Sequence, residues 1–278
     1  MPTTPRAPTR SASPSNPPTS GTHRRDAIRV VPLRLPAPTM RRASGVQAPA
    51  PPQLTYRGGP LLDACEVFII FWGNAWNAGT PRTLQKQLSD FFTFILTSAL
   101  VDQLAEYDVP GHAIGHGQFL GSTVVATPQP TASTGDNSIR NFLQQQIVSN
   151  ASLPRPTPNL LYFIYLPPGS TVVQGGSKSC QAFCGYHDAI SDPTFTEIFY
   201  AVMPYPGCAG CRGGLTVLDA LTATSSHELC EAITDAVPGQ GWYDDANGEI
   251  GDICAWKMKK VGAYTVQQEW SNRANKCV

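Results

Sequence analysis

One uninterrupted run, from Leu215 to Asp235, constrains the fold of this 278-residue chain more than any other stretch. It contains neither Pro nor Gly, and its large aliphatic residues recur at spacings of three and four, which predicts an amphipathic α-helix. Residues four apart on a helix lie one turn above each other on the same face. The helix therefore places His227 and Glu231 side by side, with Glu228 next to them.

These three residues are of the types that zinc chemistry uses. Their spacing matches the H-E-x-x-H arrangement, in which two histidines bind zinc and the glutamate between them is a general base, except that a carboxylate replaces the second histidine. A carboxylate is also a competent zinc ligand. The pattern predicts that His227 and Glu231 bind Zn²⁺ and that Glu228 acts as the base. A helix whose polar face binds no metal is the competing interpretation of so short a motif.

A catalytic zinc ion needs a third protein ligand and an open position for water. Glu249 and Asp252 follow Glu231 by 18 and 21 residues, after the turn-forming sequence Asp-Asp-Ala-Asn-Gly at 244–248. We expect Asp252 to be the third ligand, because a short side chain loses less entropy when it is fixed. Glu249 would then orient His227, although its longer reach leaves the reverse assignment open.

Several segments together carry a family resemblance. They are residues 67–73, 183–187, 226–235, 241–244, 248–254 and 270–272. From about residue 58 to the C-terminus, the chain resembles the exordium/phosphate-induced protein family and its bacterial and fungal relatives. The resemblance implies a secreted, extracellular domain built around a zincin-like helix. The chain departs from the family in having Ala236 where relatives carry Pro, and in showing no export signal at its N-terminus.

The resemblance also draws attention to Tyr186 and His187, which lie in one of these segments. In a zincin, the strand beside the metal helix binds the substrate backbone, and nearby Tyr or His side chains can stabilise a tetrahedral oxyanion. Tyr186 and His187 are therefore candidate catalytic residues. A structural role for both is the alternative.

Strand and helix patterns alternate along the chain. Continuous β-branched and aromatic runs predict buried strands, and a broad apolar face from 83 to 107 predicts a long helix that packs on a sheet. The fold class is therefore α/β or α+β, with a mixed sheet and packed helices. The predicted strands are 66–72, 121–126, 159–166, 182–186, 194–203 and 264–270, and a further helix spans 137–149.

Residues 1–57 differ sharply in composition from the rest. The first 60 residues hold 13 of the 26 prolines, nine arginines and one acid. Such a segment cannot bury enough apolar surface to offset its chain entropy, so we expect it to be disordered and to precede one zincin-like α/β domain over 58–278. A flexible tail or a misassigned start codon is the favoured explanation, and a basic transit peptide is the alternative.

The remaining residues contain 11 basic and 19 acidic side chains, a net charge of −8 with histidine neutral. An acidic domain is a poor partner for nucleic acid, so we expect no nucleic-acid partner. The chain has no run of 18 apolar residues, which predicts that no segment spans a membrane.

Cysteine usage indicates an oxidising compartment. Eight cysteines lie in the predicted domain, at positions 65, 180, 184, 208, 211, 230, 254 and 277. Those at 180, 184, 208 and 211 could form a four-cysteine zinc site, but disulfides are favoured because the resemblance is to secreted proteins. We predict one pair, Cys254–Cys277, which would tie the C-terminal tail beside the proposed site. Cys230 is expected to be a buried half-cystine and not a thiolate ligand.

Two functions from different classes follow. The first is a secreted zinc-dependent hydrolase, a metallopeptidase that takes a peptide or protein substrate. The second is a secreted non-catalytic module that keeps a zincin-like core for stability or signalling. A site with one histidine and two acids leaves zinc close to neutral, which weakens its Lewis acidity and keeps the second hypothesis open.

Overall fold

The computed structural model describes residues 30–34 and 51–278. The α-helices are α1 (Gly79–Ile95), α2 (Ala99–Asp102), α3 (Asp136–Ser149), α4 (Ala209–Arg212) and α5 (Val217–Thr234), and 3-10 helices span Asn74–Asn77, Gln103–Tyr107 and Asp252–Cys254. The strands are β1 (Thr55–Tyr56), β2 (Glu66–Trp72), β3 (Gln118–Val125), β4 (Ser133–Gly135), β5 (Leu160–Tyr165), β6 (Thr171–Gln174), β7 (Ser177–Lys178), β8 (Tyr186–Asp192), β9 (Thr196–Met203), β10 (Trp242–Tyr243), β11 (Met258–Val261), β12 (Tyr264–Gln267), β13 (Trp270–Ser271) and β14 (Lys276–Cys277). The mixed α/β class predicted from the sequence is confirmed.

The largest sheet has five strands in the order β3-β2-β5-β9-β8. Its pairings are parallel from β3 to β9, whereas β8 runs antiparallel beside β9 and forms one edge. The inner strands β2 and β5 are buried on both faces, as parallel strands covered by helices must be. This explains their continuous runs of β-branched and aromatic residues.

Helices cover both faces of this sheet. Because side chains alternate along a strand, Val67, Ile69 and Phe71 of β2 pack on one face with α1 and α5. Phe68 and Ile70 pack on the other face with α3. Two separate apolar cores result, and the candidate site lies on the α5 side.

Helix α5 differs from the prediction in one respect. Its bounds agree with the run read from the sequence, and Thr216 caps its start by accepting a hydrogen bond from the Asp219 N–H at 3.1 Å. The predicted amphipathic character is wrong, because every residue from Ala220 to Thr234 is buried. A helix enclosed on all sides must satisfy its polar residues inside the protein.

The long helix predicted over 83–107 is broken. α1 ends at Ile95, and Ser98 starts α2 by accepting a hydrogen bond from the Leu100 N–H at 3.2 Å. Within the described residues, no single helix is long and apolar enough to cross a membrane. The segments Gly79–Ile95 and Ala99–Tyr107 meet that criterion only when taken together, and they are bent by 47°.

The predicted strand at 182–186 starts later, at Tyr186. The predicted strand at 264–270 ends at Gln267, and Trp270 pairs separately with Cys277. The other predicted strands and the helix at 137–149 agree with the structure to within three residues.

Parts of the predicted tail belong to the packed structure. Leu54 is buried, its N–H donates to Asn272 Oδ1 at 3.0 Å, and β1 pairs with β10. Residues 30–34 also contact the domain. The boundary at residue 58 is therefore corrected to include these segments, whose apolar side chains find partners far along the chain. The rest of the predicted disordered segment lies outside the described residues.

Three disulfides form, and Cys254–Cys277 is the predicted one. The other two, Cys180–Cys208 and Cys184–Cys211, use the four cysteines that could have formed a zinc site. The prediction for Cys230 is only half right. It is buried, but among the described residues it remains a free thiol, as does Cys65.

Candidate functional site

The site is built on α5, which places His227 and Glu231 one turn apart as predicted. His227 Nε2 lies 2.9 Å from Glu231 Oε1, and no more than 1% of the surface of either residue is exposed. Glu228 is completely buried beside them. The sequence motif therefore produces a cluster of ionisable groups inside the protein.

Strand β8 adds His187 to this cluster. Its Nδ1 lies 3.2 Å from Glu228 Oε2 and 3.6 Å from Glu231 Oε2. Its Nε2 lies 3.1 Å from the carbonyl oxygen of Asp235. Since a carbonyl oxygen can only accept, Nε2 carries a proton, and Nδ1 faces the two carboxylates. A metal-binding histidine has the same arrangement, with one ring nitrogen held by a backbone carbonyl.

Tyr186 is not part of the site, so its predicted catalytic role is wrong. Neighbouring residues of a strand point to opposite faces, and Tyr186 packs in the core on the α3 side. Its hydroxyl donates to Asp136 Oδ1 at 2.7 Å, and the hydroxyl of Tyr200 donates to the same oxygen at 2.8 Å. The side chain of Tyr186 is structural.

The loop after α5 returns to the cluster through the predicted turn. Asp244 and Gly248 exchange two backbone hydrogen bonds of 2.9 Å, and Glu249 follows directly. Glu249 Oε1 lies 3.4 Å from His187 Nε2. The predicted role of Glu249 in orienting His227 is corrected accordingly, because Glu249 contacts the other histidine.

Asp252 reaches Glu231 from the same loop. Its N–H donates to Glu231 Oε1 at 3.0 Å, and the disulfide of Cys254 holds the end of the loop. Gly251 permits this approach, because a Cβ atom there would lie 2.8 Å from His227 Nδ1 and 2.9 Å from Glu231 Oε1. The loop backbone therefore packs directly on the pair of side chains from α5.

Two overlapping sets of side chains could hold a metal ion. One set is His227, Glu231 and Asp252, and the other is His187, Glu231 and Glu249. Within each set, one ligand atom from every residue lies within 4.8 Å of the others. The sets share Glu231, whose two oxygens face different histidines. Both downstream acids predicted from the sequence thus lie at the site.

The side chain of Gln267 contacts the imidazole of His227. The sequence patterns did not predict Gln267 as a site residue. The amide oxygen of Gln267 accepts from the Trp256 N–H at 3.1 Å, and its nitrogen donates to the Gly251 carbonyl at 2.9 Å. The same nitrogen lies 2.8 Å from His227 Nδ1, so Nδ1 accepts and Nε2 carries the proton. To bind a metal ion, Nε2 must lose its proton, and the neutral ring then carries its proton on Nδ1. The amide of Gln267 must therefore rotate, so that its oxygen and not its nitrogen faces Nδ1.

Glu269 was also missed, and it adds a further buried acid next to these groups. In the part of the chain that the structure describes, neither carboxylate oxygen of Glu269 has a hydrogen-bond partner, and the same holds for Glu249. Glu228 Oε1 has no partner either, and His227 Nε2 has only its ion-pair contact with Glu231 Oε1 at 2.9 Å. Buried polar atoms are normally paired, so this group of unpaired buried atoms marks a candidate binding site.

Burial and the charges of neighbouring groups shift the pKa values of these residues in different directions. Burial raises the pKa of Glu249 well above its ordinary value, and the charge of Glu231 adds to this. Burial also raises the pKa of Glu231, but His227 and His187 outweigh it and lower the pKa to about 2. Burial lowers the pKa of His187, yet Glu249 and Glu228 raise it well above its usual range. The cluster therefore retains protons at neutral pH when no other cation is present.

No family model matches the chain, and no curated protein matches it. The resemblance to the exordium/phosphate-induced family therefore stays a prediction from the motifs.

Proposed function

We propose that the chain is a secreted zinc-dependent hydrolase, a metallopeptidase that acts on a peptide or protein substrate. One observation carries the proposal. His187, His227, Glu231 and Glu249 converge in the buried interior with the partly buried Asp252 beside them, and several buried ligand atoms of the described residues there have no hydrogen-bond partner.

The charge of the cluster supports a divalent cation. Glu228, Glu231, Glu249 and Glu269 bring four buried acids against two imidazoles. Buried carboxylates without partners are costly, so they must either take up protons or be balanced by a positive ion. Zinc binds mixed nitrogen and oxygen ligands, whereas calcium and magnesium prefer oxygen alone. The donor set therefore fits zinc best.

Glu231 would hold the ion together with one histidine and one acid of the loop. When bound, zinc supplies the Lewis acidity that makes a water molecule nucleophilic near neutral pH. Glu228 is placed to act as the base, because His187 holds its Oε2 at 3.2 Å while its Oε1 stays unpartnered. That free oxygen can take a proton from water and deliver it to the leaving amine.

The surroundings of the site support a peptide substrate and secretion. Strand β8 is an antiparallel sheet edge, and such edges bind extended peptides through main-chain hydrogen bonds. The three disulfides are compatible with an extracellular protein, because such bonds persist in oxidising compartments.

Substitution of Glu228 by Gln tests the proposal. The amide cannot accept the proton, so Glu228→Gln should retain zinc and lose hydrolysis of a peptide library by at least about 100-fold. Glu197→Gln, at a residue that contacts Ser191 on the opposite end of β8, is the matched control and should change neither property. Loss of zinc from the Glu228 variant would make Glu228 a ligand, and full hydrolytic activity would remove it from catalysis.

The non-catalytic alternative has one specific observation in its favour. His187, His227, Glu228 and Glu231 are each at most 1% exposed, and a catalytic site must admit its substrate. A buried zinc ion that only stabilises the fold would satisfy the same ligands. Zinc that raises the melting temperature in a protein that cleaves no peptide would favour this alternative.

A further inference from the structure

Residues Val30–Arg34, here called the strap, lie along the segment that leads into β8. The N–H of Val31 donates to the Gly185 carbonyl at 3.1 Å, and the N–H of Cys184 donates to the Val31 carbonyl at 2.8 Å. Pro32 forms an antiparallel bridge with Phe183. The strap therefore pairs, through an isolated antiparallel bridge, with the residues that directly precede the edge strand β8.

The side chains of the strap fill a groove formed around two disulfides. Val31 is 2% exposed and packs against Cys184 and Cys211. Leu33 covers Gly210, where an added Cβ atom would lie 3.1 Å from the Leu33 side chain. Because Val31 and Leu33 are two residues apart, both point to the same side of an extended segment.

Polar contacts fix the main chain of the strap. Trp256 Nε1 donates to the Pro32 carbonyl at 2.8 Å, and the Arg34 N–H donates to the Gly210 carbonyl at 2.8 Å. Arg34 Nη1 donates to the Gly213 carbonyl at 2.9 Å. We call the surface lined by Phe183–Gly185, Gly210–Gly213 and Trp256 the rim groove.

The rim groove adjoins the candidate base. A Cβ atom on Gly185, the residue that accepts from Val31, would lie 3.0 Å from Glu228 Oε1. The backbone of a peptide in the groove is thus separated from Glu228 by one strand of the protein.

We infer that the rim groove is a binding site for an extended peptide with aliphatic side chains at alternating positions, and that the strap is its intramolecular occupant. This is strand addition, in which main-chain hydrogen bonds give affinity and the pockets for alternate side chains give specificity. The peptide binding stands on the strap contacts alone. That the groove receives the substrate of a hydrolase rests on the proposed function.

A tethered occupant competes strongly with a free peptide, since its effective concentration is on the order of millimolar. Only molecules with an open groove can bind a separate peptide. The apparent affinity for that peptide is therefore the intrinsic affinity multiplied by the fraction of molecules with an open groove. Releasing the strap should therefore reveal a binding activity that the unmodified chain conceals.

The test uses the full-length chain carrying Val31→Asp and Leu33→Asp, which places two charges in the apolar groove. The probe is a fluorescent, end-capped pentapeptide, Val-Val-Pro-Leu-Arg. It should bind the double variant at least about tenfold tighter than the unmodified chain. Val148→Asp, at a position 71% exposed, is the matched control and should bind as weakly as the unmodified chain. Hydrogen exchange at the Cys184 amide should quicken in the double variant and slow again when the peptide is added.

Two results would overturn the inference. One is absence of peptide binding by a double variant that melts cooperatively. The other is loss of cooperative melting in that variant, which would make the strap part of the core and not an occupant. Zinc content and hydrolysis of the same samples report on the proposed function separately. Peptide binding without hydrolysis supports the groove and counts against the hydrolase, whereas hydrolysis without peptide binding does the opposite.

Discussion

Substitution of Gly251 by Ala perturbs the candidate site while leaving every ionisable group in place. Its φ of −79° and ψ of −39° are right-handed helical values that alanine adopts readily. The added Cβ atom would lie 2.8 Å from His227 Nδ1 and 2.9 Å from Glu231 Oε1. Because the loop carries Gly251 directly over this pair, the two side chains must move apart.

The expected change in the free energy of unfolding of Gly251→Ala follows from two opposing effects. Overpacking a dense interior costs about 1–3 kcal/mol, and the lower chain entropy of the unfolded alanine variant offsets about 0.4–1 kcal/mol. We expect Gly251→Ala to lower the free energy of unfolding by about 1–2 kcal/mol. Displacement of His227 and Glu231 should weaken zinc binding about 10–100-fold, as changes in the support of metal ligands typically do.

Urea unfolding and zinc titration of the same variant measure both effects. Gly115→Ala is the matched control, because no heavy atom lies closer than 4.0 Å to the position of its Cβ atom. This control should leave zinc affinity unchanged. A Gly251 variant as stable as the unmodified protein and with equal zinc affinity would refute the close packing of the loop on the metal-binding pair.

Three further predictions concern the same cluster. His227→Ala should abolish zinc retention and lower the melting temperature, because the acids would face one another without a partner, and unchanged zinc content would remove His227 from the site. Asp252→Asn should cost far more zinc affinity than Glu249→Gln, for which we expect about 10–100-fold, and the reverse order in titrations would exchange their roles. The metal-free protein should become less stable as pH rises from about 4 to 8. Burial raises the pKa of Glu249, and the surrounding acids raise the pKa of His187, so the folded state retains protons that the unfolded chain has released. Melting temperatures that rise over this interval would contradict the protonation argument.

The sequence was sufficient for the framework of the fold. Strand β2 and helix α5 were predicted almost to the residue, because one reads as a continuous β-branched run and the other contains no helix breaker. The break after Ile95 was missed, since the apolar pattern continues through it. A Ser in the N-cap position preceded by Thr97 was the available indication of a new helix start.

Two site residues were beyond the reach of pattern analysis. Gln267 and Glu269 lie near the end of an apolar strand segment, where polar residues are normally solvated. Their burial depends on how β12 packs against α5, which no local pattern encodes.

The error at Tyr186 has a simple physical cause. Adjacent residues of a strand face opposite sides, so Tyr186 and His187 could not both enter one site. His187 lies at the cluster because β8 is the edge strand next to α5. The family resemblance suggested both residues, but the alternation of side chains along the strand places only His187 at the cluster.

The zinc content of the purified full-length protein tests the central claim most directly. After exhaustive dialysis against zinc-free buffer, elemental analysis should find about one zinc ion per chain. The His227→Ala variant, prepared in parallel, should contain none. A protein that folds cooperatively with its disulfides formed and holds no zinc would contradict the proposal that His227, Glu231 and the loop acids form a metal site.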